Sequence, residues 1–358
     1  LTLPGRRGSV PAAAAGITPR GTGAVKRPPE GKGRRMPGIA RRHITLGLLA
    51  APAALRTAHA QSAWPDRPVR LIIPYSAGGV ADTIARTLQA RVAEHLGQSL
   101  VIENRSGASG AIAAQAVHSA PADGYTLLFE GATFATLPEV RRDLPFDYAA
   151  AFVPVVQVTT QPYIIGLRPG FPARDLAGFV AEAKRRPGEV TYGTPGVAHI
   201  GHFMGEALQM AAGIRLEHVP FRGGADVARE VAAGRIDAGI ISYSSLRPAV
   251  ERGGTLIAST GGRRQASLPD IPVIGETFPG FDMSSWTGVF APAGTPPAAM
   301  ARFAEALGPA LADPEVRRRL EAAGADPANP DRAHFVAVIA RDRERARRIV
   351  AATGLRLG

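Results

Sequence analysis

His199, His202 and Glu206 fall at i, i+3 and i+7 in a stretch with helical spacing, so a helix would bring all three to one face. Two imidazoles and a carboxylate on one face suit a divalent metal or an acid–base pair, the equipment of a hydrolase. The HExxH order of a zinc protease is absent, and a histidine at a helix start also has a plain structural use. Ser76 and Ser109 lie beside glycines, but neither sits in a GxSxG nucleophile turn.

A second chemistry resides in two glycine-bearing loops. Tyr75-Ser76-Ala77-Gly78-Gly79, with Asp82 just beyond, lies between an apolar run and a helical pattern; Thr194-Pro195-Gly196 ahead of His199 repeats that logic. Where a strand end meets a helix start, free backbone N–H groups and the positive end of the helix dipole attract an anion. Asp82 either caps those N–H groups or accepts from an amino or hydroxyl group of a ligand. Arg222, beside Gly223-Gly224, supplies a cation to the site or is simply solvated. Trp286 is a cleft wall or inter-domain packing.

The elements that must position these residues follow from periodicity. The run 69–73 reads as a strand buried on both faces, and Ile84, Leu88, Val92 and Leu96 mark the apolar stripe of a helix. Strand 99–103 and a helix rich in Ala113, Ala114 and Ala116 form the next unit. Strand 125–129 leads to a loop, Glu130-Gly131-Ala132-Thr133-Phe134. Three such units predict a parallel sheet with helices on its faces. In 152–167 two apolar runs are broken at Thr159-Thr160-Gln161-Pro162, where a second block begins. That block repeats strand–loop–helix units as far as strand 255–258; 284–291 returns to the first block, and helices 297–311, 313–323 and 331–352 complete the chain. The expectation is an α/β protein of two lobes, 61–164 plus 285–358 and 165–284, with loops of both facing a ligand cleft.

The charge belongs largely to the leader. Residues 1–60 carry eleven Lys/Arg and one acid, Glu30, so of a net +12 only +2 remains in 61–358. Nucleic acid is therefore not an expected partner. Arg41-Arg42, the apolar stretch ITLGLLAAPAAL and Ala58-His59-Ala60 read as an export signal cleaved after Ala60, with translation starting at Met36. General secretion and twin-arginine export both fit. The apolar stretch is too short to cross a hydrocarbon core of about 30 Å. There is no cysteine, which excludes disulfides, thiolate metal sites and a lipoprotein anchor. The expected product is a free periplasmic monomer without a cofactor.

Several motifs, taken together, carry a resemblance: WPDRPVRLIIPYSAGG with Asp82, LGQSLVIENRSGASG, DGYTLL, VPF-R-GG at 219–224, SSW-G-FAPAGTP at 284–296 and ADPEVRRRLEAAGADP at 312–327. Across 64–352 the chain resembles the Bug family, the substrate-binding receptors of tripartite tricarboxylate transport systems. The resemblance implies a periplasmic-binding-protein-like type II fold that closes on a small carboxylate and presents the closed form to membrane transporter subunits or a sensor. It places Tyr75, Ser76, Ala77, Gly78, Gly79, Asp82 and Thr133 on one side of the ligand, and Thr194, Gly196, His199, Ile200, His202 and Ser242 on the other. Ser76-Ala77 stands where members commonly have two prolines, and His199-Ile200 where a Thr-Ser pair is common. The acid often found after the strand that begins at Asp237 is absent. The function expected is non-enzymatic capture of a small organic acid; the alternative is an exported metal-dependent hydrolase using His199, His202 and Glu206.

Overall fold

The computed structural model describes residues 64–356 except residue 266. The expected leader, start and cleavage site lie outside the described residues. In chain order, β1 (Val69–Ile73), α1 (Val80–Leu96), β2 (Leu100–Asn104), α2 (Ala111–His118), β3 (Thr126–Gly131), α3 (Thr133–Val140), α4 (Tyr148–Ala151) and β4 (Phe152–Pro162) come first. Beyond Tyr163 follow β5 (Ile164–Leu167), α5 (Leu176–Arg185), β6 (Thr191–Thr194), α6 (Ile200–Ala212), β7 (Glu217–Pro220), α7 (Gly224–Ala232), β8 (Ala238–Ile241), α8 (Tyr243–Glu251) and β9 (Thr255–Ser259). The chain ends with β10 (Ser284–Pro292), α9 (Pro297–Ala312), α10 (Pro314–Ala322), β11 (Asp326–Pro327) and α11 (Arg332–Thr353).

Two sheets result, ordered β11-β4-β10-β3-β1-β2 and β7-β6-β8-β5-β9. β1 is a strand with two buried faces for a visible reason. Val69, Leu71 and Ile73 pack with Ile84, Leu88 and Val92 of α1, whereas Ile72 points the other way, into the core that holds Ala113, Ala114 and Val117 of α2. The alanines let α2 lie close to the sheet. The chain passes between the sheets at Tyr163 and again between β9 and β10, so each lobe is an α/β layer with its own strands. No helix among the described residues is long and apolar enough to cross a membrane.

Three expectations need correction. β1, β2 and β3 are parallel, but β10 runs antiparallel to β3 and β4, and β5 antiparallel to β8 and β9, so both sheets are mixed. The stretch 159–162 is no break: β4 continues to Pro162 because its polar residues pair with β10, Thr159 Oγ1 meeting Thr287 Oγ1 at 2.7 Å. Residues 133–140 are helix α3, although Pro138 lies inside it and no side chain caps its start.

Gly288 sits at the centre of β10, opposite Glu130 of β3 and Gln157 of β4. A Cβ there would come within 2.2 Å of the buried Phe335 ring of α11. Gly288→Ala should cost about 1–3 kcal/mol of stability by overpacking, read as a lower denaturation midpoint.

Candidate functional site

At the carboxyl ends of β1, β3, β6 and β8 a cavity of about 550 Å³ opens between the lobes. Ligands of open α/β sheets bind in this position. Six helices begin on its wall: α1 at Gly79, α2 at Gly110, α3 at Ala132, α6 at His199, α7 at Gly223 and α8 at Ser242. Five of them have no side-chain cap; the sixth is capped by an imidazole, His199 Nδ1 accepting from Gly201 N–H at 3.3 Å. Of the five described helices that start elsewhere, α9 at Pro296 also lacks a side-chain cap, but the other four contrast with these. α4, α5, α10 and α11 are each closed by an aspartate, Asp147, Asp175, Asp313 and Asp331. The fold thus puts carboxylates on four of the five outlying helix starts and on none of the six at the cavity, leaving N–H donors and positive dipole ends there for an anion.

In the first loop, Tyr75, Ser76 and Gly79 line the cavity, while Ala77 and Gly78 face an adjoining outer groove of about 1000 Å³. Asp82 is buried behind the loop. Its carboxylate accepts from Gly78 N–H, Arg86 Nε and Asn104 Nδ2, each at 2.9 Å, and Asn104 Nδ2 also reaches the Tyr75 carbonyl at 3.0 Å. Burial acts to raise its pKa, but the bonds from Arg86, Gly78 and Asn104 together hold it below the usual range. Asp82 therefore fastens the loop rather than lining the cavity.

Across the cleft, Gly196, His199, Ile200 and Ser242 line the wall. Thr194 is fully buried, its hydroxyl bonded to the Gly196 carbonyl at 3.1 Å and His218 Nε2 at 2.7 Å. His202 lies behind, its Nδ1 accepting from Ala198 N–H at 3.2 Å and its ring stacked on His218 at 3.7 Å. Glu206 accepts from Tyr192 and Gln209 and stands 3.5 Å from His202 Nε2. The shared-face expectation fails because His199 is the extended N-cap residue, outside the helix, stacked on Tyr163. Among the described residues no cluster of three such side chains is placed to hold a metal.

Thr133, Ser109 and Arg222 also line the cavity, and neither Ser76 nor Ser109 is hydrogen-bonded to a histidine or carboxylate among the described residues. Arg222 is exposed at the rim and is the one Arg or Lys among the lining residues described. Trp286 lines the cavity as a wall, and its buried Nε1 donates to Asp342 of α11 at 2.8 Å, a contact within its own lobe and not between lobes. Sequence reasoning missed Ser106, Gln161, Tyr163, Ser245, Ser285 and Thr287. Alternation in β4 and β10 was the available signal for Gln161, Ser285 and Thr287; the others depend on long-range convergence.

The model of the tripartite tricarboxylate transporter family receptor matches residues 84–355. The chain belongs to this family. A protein encoded in the tcbD-tcbE intergenic region of Pseudomonas sp. (strain P51) is 31% identical over 290 residues, covering 80% of this chain and 86% of its own. Among solved structures, the Rhodopseudomonas palustris protein Rpa4515 with adipate is 32% identical with a TM-score of 0.75, over 82% of this chain and 99% of that one. MatC of Rhodopseudomonas palustris with bound malate is 28% identical with a TM-score of 0.70, over 80% and 100%. These likenesses make the chain a periplasmic-type receptor with two lobes around a cleft.

Asp82→Ala removes three hydrogen bonds, from Gly78 of the loop, Arg86 of α1 and Asn104 of β2, and should lower stability by about 1–3 kcal/mol, measured by thermal melting. Burial holds the imidazoles of His199 and His218 down to about 4 and about 3, with the neighbouring His202 adding to the effect. The unfolded chain protonates them near 6.5 and the folded chain only far lower, so they withdraw stability as pH falls through that window. Glu130, whose folded pKa is raised, acts in the opposite sense. His218→Gln should therefore lessen the drop in urea midpoint between pH 7 and pH 5 relative to the unaltered protein.

Proposed function

We propose that this receptor captures a small organic acid in the cleft and delivers it to the membrane subunits of a tripartite tricarboxylate-type transporter. The observation that carries this reading is the gathering of six helix starts, none closed by a carboxylate, around one cavity. One carboxylate end of the ligand would be held by main-chain N–H groups of both lobes, with the hydroxyls of Ser76, Thr133 and Ser242 in reach. Holding one anion from both sides would draw the lobes together, and the closed form is what a membrane partner would recognise.

Apolar side chains, Val80, Val197, Ile200 and Ile241, cover part of the wall and suit a short carbon chain between polar ends. Arg222 at the rim would meet a second carboxylate. Adipate and malate in the related structures are ligands of that kind, and they make suitable probes. The protein, refolded to remove carried-over ligand, should rise in melting temperature with one of a series of mono-, di- and tricarboxylates, by an amount that grows with the logarithm of its concentration above Kd. Arg222→Ala should weaken a dicarboxylate about tenfold, the worth of one charge-assisted contact, and leave a monocarboxylate nearly unchanged. Calorimetric titration measures both. No shift with any acid in the series would sink the reading.

A further inference from the structure

We infer that Glu130 shares one proton with the bound carboxylate, so that this receptor takes up a proton together with its anion. The inference rests on the receptor reading above. Glu130, at the end of β3, is 2% exposed, and no cation among the described residues is bonded to it. One oxygen, Oε1, accepts from the Tyr75 hydroxyl at 2.5 Å and from Gly131 N–H at 2.9 Å. The other, Oε2, has no hydrogen-bond partner among the described residues and lies against Gly110, where an added Cβ would stand 2.9 Å from it. Tyr75, Gly110, Gly131 and Thr133, which surround this carboxyl, all line the cavity. A buried acid with one oxygen tied down and the other free therefore stands beside the place built for an anion.

The surrounding groups do not neutralise it. Tyr75 from the first loop and Tyr148 from α4 are the titratable groups whose hydroxyls respond to its charge. β10 opposes it with Gly288, and α2 offers Ala111, Ala113 and Ala114. On α3, Glu139 is paired with Arg343 and Arg347; Arg141 pairs with Asp143; Asp342 of α11 is held by Trp286. Across the cleft stand His199 and Tyr163, both kept neutral by burial. Burial pushes Glu130 up to about 7, against the Tyr75 and Gly131 donors that favour its charge.

An ionised Glu130 would repel the incoming anion at short range. Protonated, its Oε2–H donates to a ligand carboxylate oxygen, a short and strong bond. The balance is simple: below its pKa the acid form binds the carboxylate directly, and above it Glu130 carboxylate, one proton and the ligand combine. In the second case the proton comes from water or buffer and forms the Glu130 O–H bond; the contact with the ligand is then a hydrogen bond in both. Affinity should be flat below about pH 7 and fall about tenfold per pH unit above it, as one-proton linkage requires. A ligand able to donate at that end would escape this fall.

The test is calorimetric titration with adipate and malate from pH 6 to 9, each in two buffers of different ionisation enthalpy. The expected result is close to one proton taken up per ligand at pH 8, and Glu130→Gln, which keeps a neutral donor, binding with no pH slope. Binding without proton uptake, or a slope that persists in Glu130→Gln, overturns the inference and leaves the receptor reading standing. Failure of every carboxylate at every pH removes both. A second readout needs no variant: the infrared difference spectrum on binding at pH 8 should gain a protonated carboxylic band that moves when glutamate carries carbon-13. Its absence overturns the proposal.

Discussion

A helix start leaves backbone N–H groups without partners, and something must accept from them. Most of this molecule follows from where that need is met locally and where it is not. At Asp147, Asp175, Asp313 and Asp331 a side chain meets it, and the helix is complete in itself. At Gly79, Gly110, Ala132, Gly223 and Ser242 no side chain does. Strand–helix connectivity brings these starts to the same ends of two sheets, so the unmet need is concentrated in one cavity between the lobes.

The rest of the site consists of devices that hold those starts in place. Asp82 fixes the first loop from within α1 by reaching Gly78, Arg86 and Asn104 at once, which ties that loop to the end of β2. Thr194 and His202 do the same across the cleft, through the Gly196 carbonyl and Ala198 N–H. Both loops are supported by polar side chains packed behind them. The faces turned to the cavity are largely main chain and small hydroxyl groups, and the buried acid Glu130 stands just behind them, next to Tyr75, Gly110 and Gly131.

Much of the fold was legible from local pattern. β1, α1, the glycine turns and the helices that start at Asp175, Asp313 and Asp331 carry their own signals in periodicity and caps. α3 was not legible, because it starts without a capping side chain and contains Pro138. The continuation of β4 through Thr159 and Gln161 is set by β10, some 125 residues onward, as the Thr159–Thr287 contact shows. For the site, spacing pointed to the two loops and left Asp82 open between capping and ligand contact; the bond to Gly78 N–H follows the first, while the hold of Asn104 from another strand was not legible. His199 and His202 looked alike in sequence; the helix boundary between them sends one to the cavity and the other to His218.

The withheld caps also bear on how such a receptor can change over generations. Main-chain N–H groups are supplied alike by every residue type but proline, so the anion grip does not depend on which side chains surround it. Ser76-Ala77 even adds donors that a proline pair would lack. Wall residues would then be free to drift and reshape the space beyond a bound anion without first losing the attraction for charge. A fold shared with a relative only 32% identical, with a TM-score of 0.75, is what such freedom would leave behind.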